Sequence, residues 1–428
     1  MSEEVKLPYT PRNLARNPYY PVYYVISGDS DTMSNATLKN LTGGSMTEEQ
    51  IHEQLIGLPV AKDHWAAAIT AIDPVAEKRV THTVHLEDNE MALCCACVPF
   101  ESRDWEVYLV VGTGQDMTVA PDRDSSAYGS RGGGYLHVYR LADEGKQLEF
   151  MHKTRYDEPI HAIHAFKGRL LVGIGNELTV YDIGTKAMMR KTRGAHVPNK
   201  IISIDSMGER IAVGDVMESI TYIVYKPKAN RMIPFVDDVI QRWTTTATMI
   251  DYDSVAGGDK FGNIWVLHVP EQAGAEADED GMNGFIVNER SYMGGTPYRL
   301  DLRAHFYVND VPTSVQRVAL VAGGQDVLFW SGISGTLGML VPFVSREDVA
   351  FFVSLESAMR VTEKPITGRD HLMYRSYYVP VKAVIDGDLC ERFMSLTYDQ
   401  KQQVAAEVDK EVREVEKKVV EMRTRVAF

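Results

Sequence analysis

Cysteine is scarce in this chain, and long apolar runs are missing. Only four of the 428 residues are cysteine, and three of them crowd together at Cys94, Cys95 and Cys97. That spacing argues against the disulfide framework of a small secreted domain. No window approaches the roughly 18 consecutive apolar residues that a membrane span needs, and the first residues lack the apolar stretch of a signal peptide. We therefore expect a reducing compartment, the cytosol or the nucleus, and no membrane partner.

Positive charge is also in short supply. The 45 Lys and Arg residues face 59 Asp and Glu residues, which gives a formal net charge of −14. Neutralising a phosphate backbone requires clustered Lys and Arg. The charge therefore argues against a protein that grips nucleic acid over its whole surface, and it leaves a local basic patch open.

The motifs of common enzymes and metal sites are missing. Neither G-x-S-x-G nor HExxH occurs, and the glycine-rich "SRGGGYLHV" is not followed by GK[ST]. His161 and His164 are three residues apart, so on a strand they lie on opposite faces and cannot share a metal. The cysteines of "CCAC" read as small apolar strand residues, because Cys390 is the only other cysteine. We predict no catalytic, cofactor or metal site.

Residues 9–343 carry a β pattern. Short runs of Val, Ile, Tyr and Thr are punctuated by Gly, Asp and Asn. Similar strand–turn–strand segments align at Gly173, Gly214 and Gly257, in steps of about 41 and 43 residues, the period of four-stranded propeller blades. Further matches at Gly112 and Gly332 are more widely spaced. The sequence predicts a mainly β protein built from propeller blades, without the Trp-Asp blade signature.

Two polar segments, near residues 28–62 and 271–295, are interpreted as surface insertions. After Phe343 the pattern becomes helical, so we place a β-propeller at 1–344 and an α-helical C-terminal domain at 345–428. Ser345 is the predicted N-cap of the first helix, with Asp348 three residues later.

The last segment begins with Thr397 and Gln400 in capping-box spacing. Valines and a methionine then recur every three or four residues, which predicts one amphipathic helix of roughly 40 Å. Its apolar face either docks on the protein's own surface, which we favour, or pairs with a partner helix.

The stretch "VIDGDLCERF" places two aspartates around a glycine. We interpret it as a strand-to-helix joint in which Asp388 caps the following helix and Glu391 completes a capping box.

The tract "GRDHLMYRSYYVP" is dense in Arg and Tyr, residue types enriched in protein interfaces. It contains Arg, Asp and His but lacks the downstream asparagine of a kinase catalytic loop. It serves as an interface, as a packed linker, or as both. The candidate partner interface consists of Arg242, Trp243, Arg369, Asp370, His371, Tyr374, Arg375, Tyr377 and Tyr378.

Several blocks of the sequence resemble a known family. "DKFGNIWVLHVP", "TGRDHLMYRSYYVPVKAVIDGDLCERF" and the terminal "RTRVAF" are similar to the C-terminal part of the large β-propeller subunit of splicing factor 3b, a part of the U2 snRNP. Damaged-DNA-binding protein 1 and the large cleavage and polyadenylation specificity subunit belong to the same family. The resemblance runs from about residue 7 to 428.

The resemblance implies a fold and partners. The fold would be the third seven-bladed propeller of the family architecture, followed by its helical domain. The role would be that of a nuclear, non-enzymatic scaffold for the HEAT-repeat subunit and the small subunits of splicing factor 3b, supporting branch-site recognition indirectly. The first two propellers are missing from this chain and would be further partners if they are made separately.

Two alternatives stay open. One is a related adaptor in a ubiquitin-ligase, DNA-repair or mRNA 3′-end processing complex. The other is an enzyme that uses the central funnel of the propeller, which would need polar side chains that converge there.

Overall fold

The computed structural model describes residues 4–34, 38–40, 42–44, 50, 64–76, 79–117, 132–192, 194–279, 295–363, 365 and 368–425. Most of the predicted insertion at 28–62, and the part of the second insertion at 280–294, lie outside these residues. The chain forms two compact units. One consists of Met1–Asp215 and Ile223–Pro234, and the other of Val216–Tyr222 and Phe235–Phe428.

The β part consists of blade-like antiparallel sheets. Blade 1 contains β1 (Pro11–Arg16), β2 (Tyr23–Ser30), β3 (Trp65–Ile72) and β4 (Val80–His85). Blade 2 contains β5 (Glu90–Phe100), β6 (Glu106–Gln115), β7 (Gly134–Ala142) and β8 (Gln147–Tyr156). Blade 3 contains β9 (Ile160–Phe166), β10 (Arg169–Ile174), β11 (Glu177–Ile183), β12 (Met188–Arg190) and the short β13 (Ala195–His196) beside β11.

Three further sheets follow. Blade 4 contains β14 (Ile201–Met207), β15 (Arg210–Asp215), β16 (Ser219–Lys226), β17 (Arg231–Asp237) and, parallel to β17, the short β21 (Tyr298–Arg299). Blade 5 contains β18 (Thr244–Met249), β19 (Ser254–Asp259), β20 (Asn263–His268) and β22 (Asp301–Tyr307). Blade 6 contains β23 (Pro312–Ala319), β24 (Asp326–Gly332) and β25 (Leu337–Leu340).

The prediction of seven blades is wrong, because the described residues form six sheets. All 25 strands of the described residues are used in these six sheets, so none of those strands is left for a seventh blade. The mainly β, propeller-type architecture is confirmed.

The repeated glycines mark the same place in each blade. Gly112, Gly173, Gly214, Gly257 and Gly332 all lie in the second strand of their blade, not in the turn that follows. At Gly173 and Gly112 the reason is close packing of one blade on the next. A Cβ built on Gly173 would meet the Ile201 side chain of blade 4 at 2.6 Å, and one on Gly112 would meet Ile160 of blade 3 at 2.8 Å.

Each compact unit has its own apolar cores between consecutive blades. In the first unit, cores join blades 1 and 2, blades 2 and 3, and blades 3 and 4. In the second unit, Ala256 and Ile264 of blade 5 pack with Val315 and Trp330 of blade 6. The short apolar runs of the sequence agree with this packing, because a strand between two blades is buried on both faces.

The helices are α1 (Glu271–Asp278), α2 (Arg346–Thr362), α3 (His371–Tyr374), α4 (Gly387–Glu391), α5 (Tyr398–Glu407) and α6 (Val412–Thr424). Helix α1 falls in a segment predicted to be a solvated loop, and it is held there because Ala273 and Ala277 are fully buried. Among the described residues, no helix is long and apolar enough to cross a membrane.

Two helix starts agree with the sequence. The Ser345 side chain accepts a hydrogen bond from the backbone N–H of Glu347 at the start of α2. Thr397 and Gln400 form a capping box at the start of α5. Both N-caps are confirmed.

The prediction of a single long terminal helix is wrong, since the helix is interrupted between α5 and α6. Asp409 adopts a left-handed conformation with φ 55°, which Asp tolerates better than most residues. The N–H of Lys410 then bonds to the carbonyl of Ala405, which closes the end of α5. The apolar face docks within the chain, as favoured above: Val415 and Val419 are buried in one core with residues of α2 and α4.

Candidate partner-binding surface

The linker between α2 and α4, residues 368–386, is fastened to blade 5 of the second unit. The backbones of His305 and Lys382 exchange two hydrogen bonds of 3.0 Å, and the N–H of Tyr307 donates to the carbonyl of Arg375 at 3.1 Å. The Lys382 ammonium reaches the carbonyl of Leu302 at 2.6 Å. The tract predicted to be an interface or a linker is therefore a docked linker.

Asp386 is the hub of this linker. Its Oδ2 accepts from the Nε of Arg375 at 2.6 Å and from the Nε2 of His371 at 2.5 Å. Its backbone N–H donates to the Oε1 of Glu356 in α2 at 2.9 Å. Burial raises the pKa of the Asp386 carboxyl, but Arg375 and His371 outweigh it and hold that pKa below its usual value. Burial also raises the pKa of Glu356.

Asp386 also caps α4, which corrects the predicted cap. Its Oδ1 accepts from the N–H groups of Asp388 and Leu389 at 3.1 and 3.3 Å. Asp388 instead lies inside the helix, with its side chain 88% exposed, and Glu391 is the last helical residue rather than the partner in a capping box. Both aspartates precede the same apolar run, and Arg375 lies closer to the first, at 2.6 Å from Asp386 against 3.5 Å from Asp388.

Five aromatic side chains form an exposed cluster, here called the aromatic patch: Phe261, Tyr307, Tyr374, Tyr377 and Tyr378. Tyr377 stacks on Phe261 and on Tyr307, with centroids 6.0 and 5.8 Å apart. Tyr374 meets Tyr307 edge-on, and Tyr378 meets Tyr377 edge-on. Tyr377 is 58% exposed and Tyr378 42%. Stacked and edge-to-face pairs are favourable, so the rings hold one another while their rims face water.

A cation lies at the rim of the aromatic patch. The Nζ of Lys260 lies 3.1 Å from the ring centroid of Trp243 and 5.3 Å from that of Phe261. Within the described part of the chain, no carboxylate pairs with Lys260. Trp243 is half-buried beneath it, and a cation over an indole ring is attracted by the negative ring face.

Tyr378 anchors the aromatic patch to the turn between β19 and β20. Its hydroxyl donates to the Oδ2 of Asp259 at 2.6 Å, while the Oδ1 of Asp259 accepts from the N–H groups of Phe261 and Asn263. Burial and the Asp259 hydrogen bond raise the pKa of Tyr378. Three of the bonds that fix the patch thus converge on one carboxylate.

Arg242 does not lie at the surface, which corrects its place in the predicted interface. Its guanidinium is fully buried and donates through Nε to the Oδ2 of Asp238 at 2.8 Å. Ser219 donates to the same oxygen at 2.7 Å. The Arg242 guanidinium lies 5.2 Å from the ring of Trp265. Arg242 therefore stabilises the interior of the second unit.

Of the other predicted interface residues, Arg375 is also buried and holds the linker. Asp370 binds Arg360 of α2 through both carboxylate oxygens, at 3.1 and 2.6 Å, and His371 bonds to Asp386. Arg369 is exposed. The structure thus brings Tyr374, Tyr377, Tyr378 and Trp243 together at one surface and assigns Arg242, His371 and Arg375 to the scaffold beneath it.

Sequence reasoning missed Lys260, Phe261 and Tyr307. The first two sit in the hairpin "DKFGN", where Gly262 takes φ 89°. An aromatic residue in a tight polar turn indicates an exposed ring that packs against a distant part of the chain, as Phe261 does against Tyr377. For Tyr307 no local signal exists, because it ends a strand of ordinary β composition.

The described residues offer no metal centre, and the cysteines of β5 are unreactive. No group of three or more His, Cys, Asp or Glu side chains within those residues could hold a metal ion. Burial raises the pKa of the Cys94 and Cys97 thiols to about 12, so these cysteines of β5 are poor nucleophiles.

Comparison with known families decides where the chain belongs. The profile of the family described as CPSF A subunit region matches residues 66–395. The chain belongs to this family. Members of the CPSF A subunit region family that resemble it include pre-mRNA-splicing factor rse1 of Emericella nidulans, 49% identical over 434 residues. That alignment covers 100% of this chain and 35% of the relative.

Other relatives carry similar names. Pre-mRNA-splicing factor prp12 of Schizosaccharomyces pombe is 41% identical over 97% of this chain and 33% of its own length. The probable splicing factor 3B subunit 3 of Dictyostelium discoideum is 42% identical over 85% of this chain and 28% of its own length. The resemblance to the splicing factor 3b propeller subunit is confirmed. The chain spans about a third of the length of the relatives it matches.

Proposed function

We propose that this chain is a scaffold portion of a splicing factor 3b complex and acts in pre-mRNA splicing. The observation that carries the proposal is the match to pre-mRNA-splicing factors of 41 to 49% identity along nearly the whole chain. The packed blades and the exposed aromatic patch of the second unit suit a protein that holds others in place.

The proposal extends to partners, place and chemistry. The HEAT-repeat subunit and the small subunits of splicing factor 3b are the partners that the resemblance favours, together with the first two propellers of the family architecture. The location is the nucleus, contact with RNA is indirect, and the chain is not an enzyme. Separation into a 1–344 propeller and a 345–428 helical domain is part of the same proposal, supported by the start of α2 at Arg346.

Affinity purification of the tagged chain from nuclear extract tests this proposal. We expect mass spectrometry to find subunits of splicing factor 3b and U2 snRNP proteins. Recovery of cullin or of poly(A)-signal factors without U2 proteins would instead support one of the related adaptor functions. A tagged, unrelated propeller protein of similar acidity controls for nonspecific capture.

A further inference from the structure

We propose that the aromatic patch, with Lys260 at its rim, docks a carboxylate-bearing segment of a protein partner. This inference rests on the proposed scaffold function and identifies the surface through which part of it is carried out. It concerns the second compact unit alone.

The rings of the aromatic patch are exposed and already held in fixed positions, which favours binding. Tyr377, Tyr378, Tyr374 and Phe261 are 58%, 42%, 38% and 37% exposed, which is unusual for four contacting rings of one surface. Their positions are fixed by mutual stacking and by the bond from Tyr378 to Asp259. Little side-chain entropy is therefore lost on binding, which is why Tyr is enriched in binding hot spots.

The charge at the rim indicates the chemistry of the partner. Lys260 is unpaired among the described residues, and Asp259 beside it is fully buried and occupied by hydrogen bonds. In a chain of net charge −14, an aromatic surface whose rim carries a lysine without a carboxylate partner in the described part of the chain complements an acidic partner segment.

The same geometry favours protein over single-stranded RNA. Binding RNA bases requires free ring faces and a groove of positive charge. Tyr377 already stacks on two rings of this chain, and the face of Trp243 is covered by Lys260. What the patch offers is ring edges, hydroxyl groups and the ammonium group of Lys260, which suit side chains and carboxylates of a protein.

Photo-crosslinking in the assembled complex tests the inference. Benzoylphenylalanine replaces Tyr377 in the tagged chain, and in a control it replaces Phe150, which is 56% exposed on β8 of the first unit. After irradiation in nuclear extract, we expect position 377 to crosslink to a protein segment that contains Asp or Glu, and position 150 not to reach that segment.

Substitutions supply the second readout. We expect Tyr377→Ala and Lys260→Glu each to lower recovery of the crosslinked partner at least tenfold, while Tyr377→Phe and Lys186→Glu, an exposed charge change in the first unit, leave it unchanged. Reversing the charge of the mapped partner carboxylate should restore binding to Lys260→Glu. Unchanged melting temperatures show that the variants fold.

The outcomes separate the two proposals. If the chain recovers splicing factor 3b subunits but the variants recover them equally, or if position 377 crosslinks to RNA, the docking inference is overturned and the scaffold function stands. If the unmodified chain recovers no splicing proteins, the scaffold function is overturned, and this inference with it.

Discussion

The carboxylate of Asp386 accepts a hydrogen bond from the Nε of Arg375 at 2.6 Å, and both side chains are buried. The same carboxylate caps α4. One residue thus joins the docked linker, the helix that follows it and, through its N–H, Glu356 of α2.

Replacing Asp386 should therefore destabilise the chain strongly. We expect Asp386→Ala to lower the free energy of unfolding by about 3–5 kcal/mol, because it leaves the buried Arg375 charge unpaired and removes a cap. Asp388→Ala is the matched control, since that side chain is 88% exposed, and we expect a change within about 0.5 kcal/mol. Urea unfolding followed by circular dichroism measures both. Equal effects would show that Asp386 is not the hub.

His305 should make stability depend on pH. Burial, and then the charge of Arg242, lower the pKa of its imidazole from 6.5 to about 4. Between these values the unfolded chain takes up a proton that the folded chain does not, so the free energy of unfolding falls as the pH drops from about 6.5 to about 4. His305→Gln removes this contribution.

Urea midpoints at several pH values between 7 and 4 check the His305 prediction. Other histidines contribute to the slope in both proteins, so the informative quantity is the difference between the chain and the variant. We expect the variant to lose less stability toward the acid end of the range. Parallel pH profiles would mean that His305 titrates alike in the folded and unfolded chains.

The docked face of α6 can be tested with two adjacent valines. Val419 is 4% exposed and packs in the helical core, whereas Val420 is 45% exposed. We expect Val419→Ala to cost about 2 kcal/mol of stability, for lost burial plus a residual cavity. Val420→Ala should stay within about 0.5 kcal/mol and can gain slightly from the helix propensity of Ala. A larger loss of stability at Val420 than at Val419 would show that the face of α6 that carries Val420 is the one packed in the core.

Blade packing predicts a cost for adding one methyl group at Gly173. Its Cβ would lie 2.6 Å from a side-chain carbon of Ile201, and overpacking of this kind costs about 1–3 kcal/mol. Gly387→Ala is the control, because a Cβ there meets nothing within 4 Å and Ala favours the helix. Thermal unfolding of both variants distinguishes them. A Gly173→Ala protein as stable as the parent would show that the blades separate easily at this place.

What the sequence predicted correctly depends on local signals. Ser345 and the Thr397–Gln400 capping box each act within a few residues, so they can be recognised without the fold. The errors arose where a distant partner decides. Asp386 and Asp388 are equally good caps by spacing, and the sequence does not show that Asp386 is the one held by Arg375, His371 and Glu356.

The aromatic patch shows the same limit. Tyr378 and Asp259 are 119 residues apart in sequence, so no periodicity could bring Phe261 to Tyr377. The many Arg and Tyr residues of the linker indicated that the tract packs or binds. They did not show which of these residues are buried and which are exposed. Arg375 is buried and Tyr377 is exposed, although both residue types are enriched in interfaces.

The hydrogen bonds between the linker and blade 5 determine whether the helical end of the chain can be separated from the blades. The Asp259 turn, the His305 backbone and the Tyr307 backbone all find partners beyond residue 370. Truncation of the chain after blade 6 would remove the hydrogen-bond partners of these groups. It would also expose the aromatic rings that Tyr374, Tyr377 and Tyr378 now cover. The helical end of the chain is therefore not an interchangeable module that could be moved to another propeller, but a part that completes blade 5.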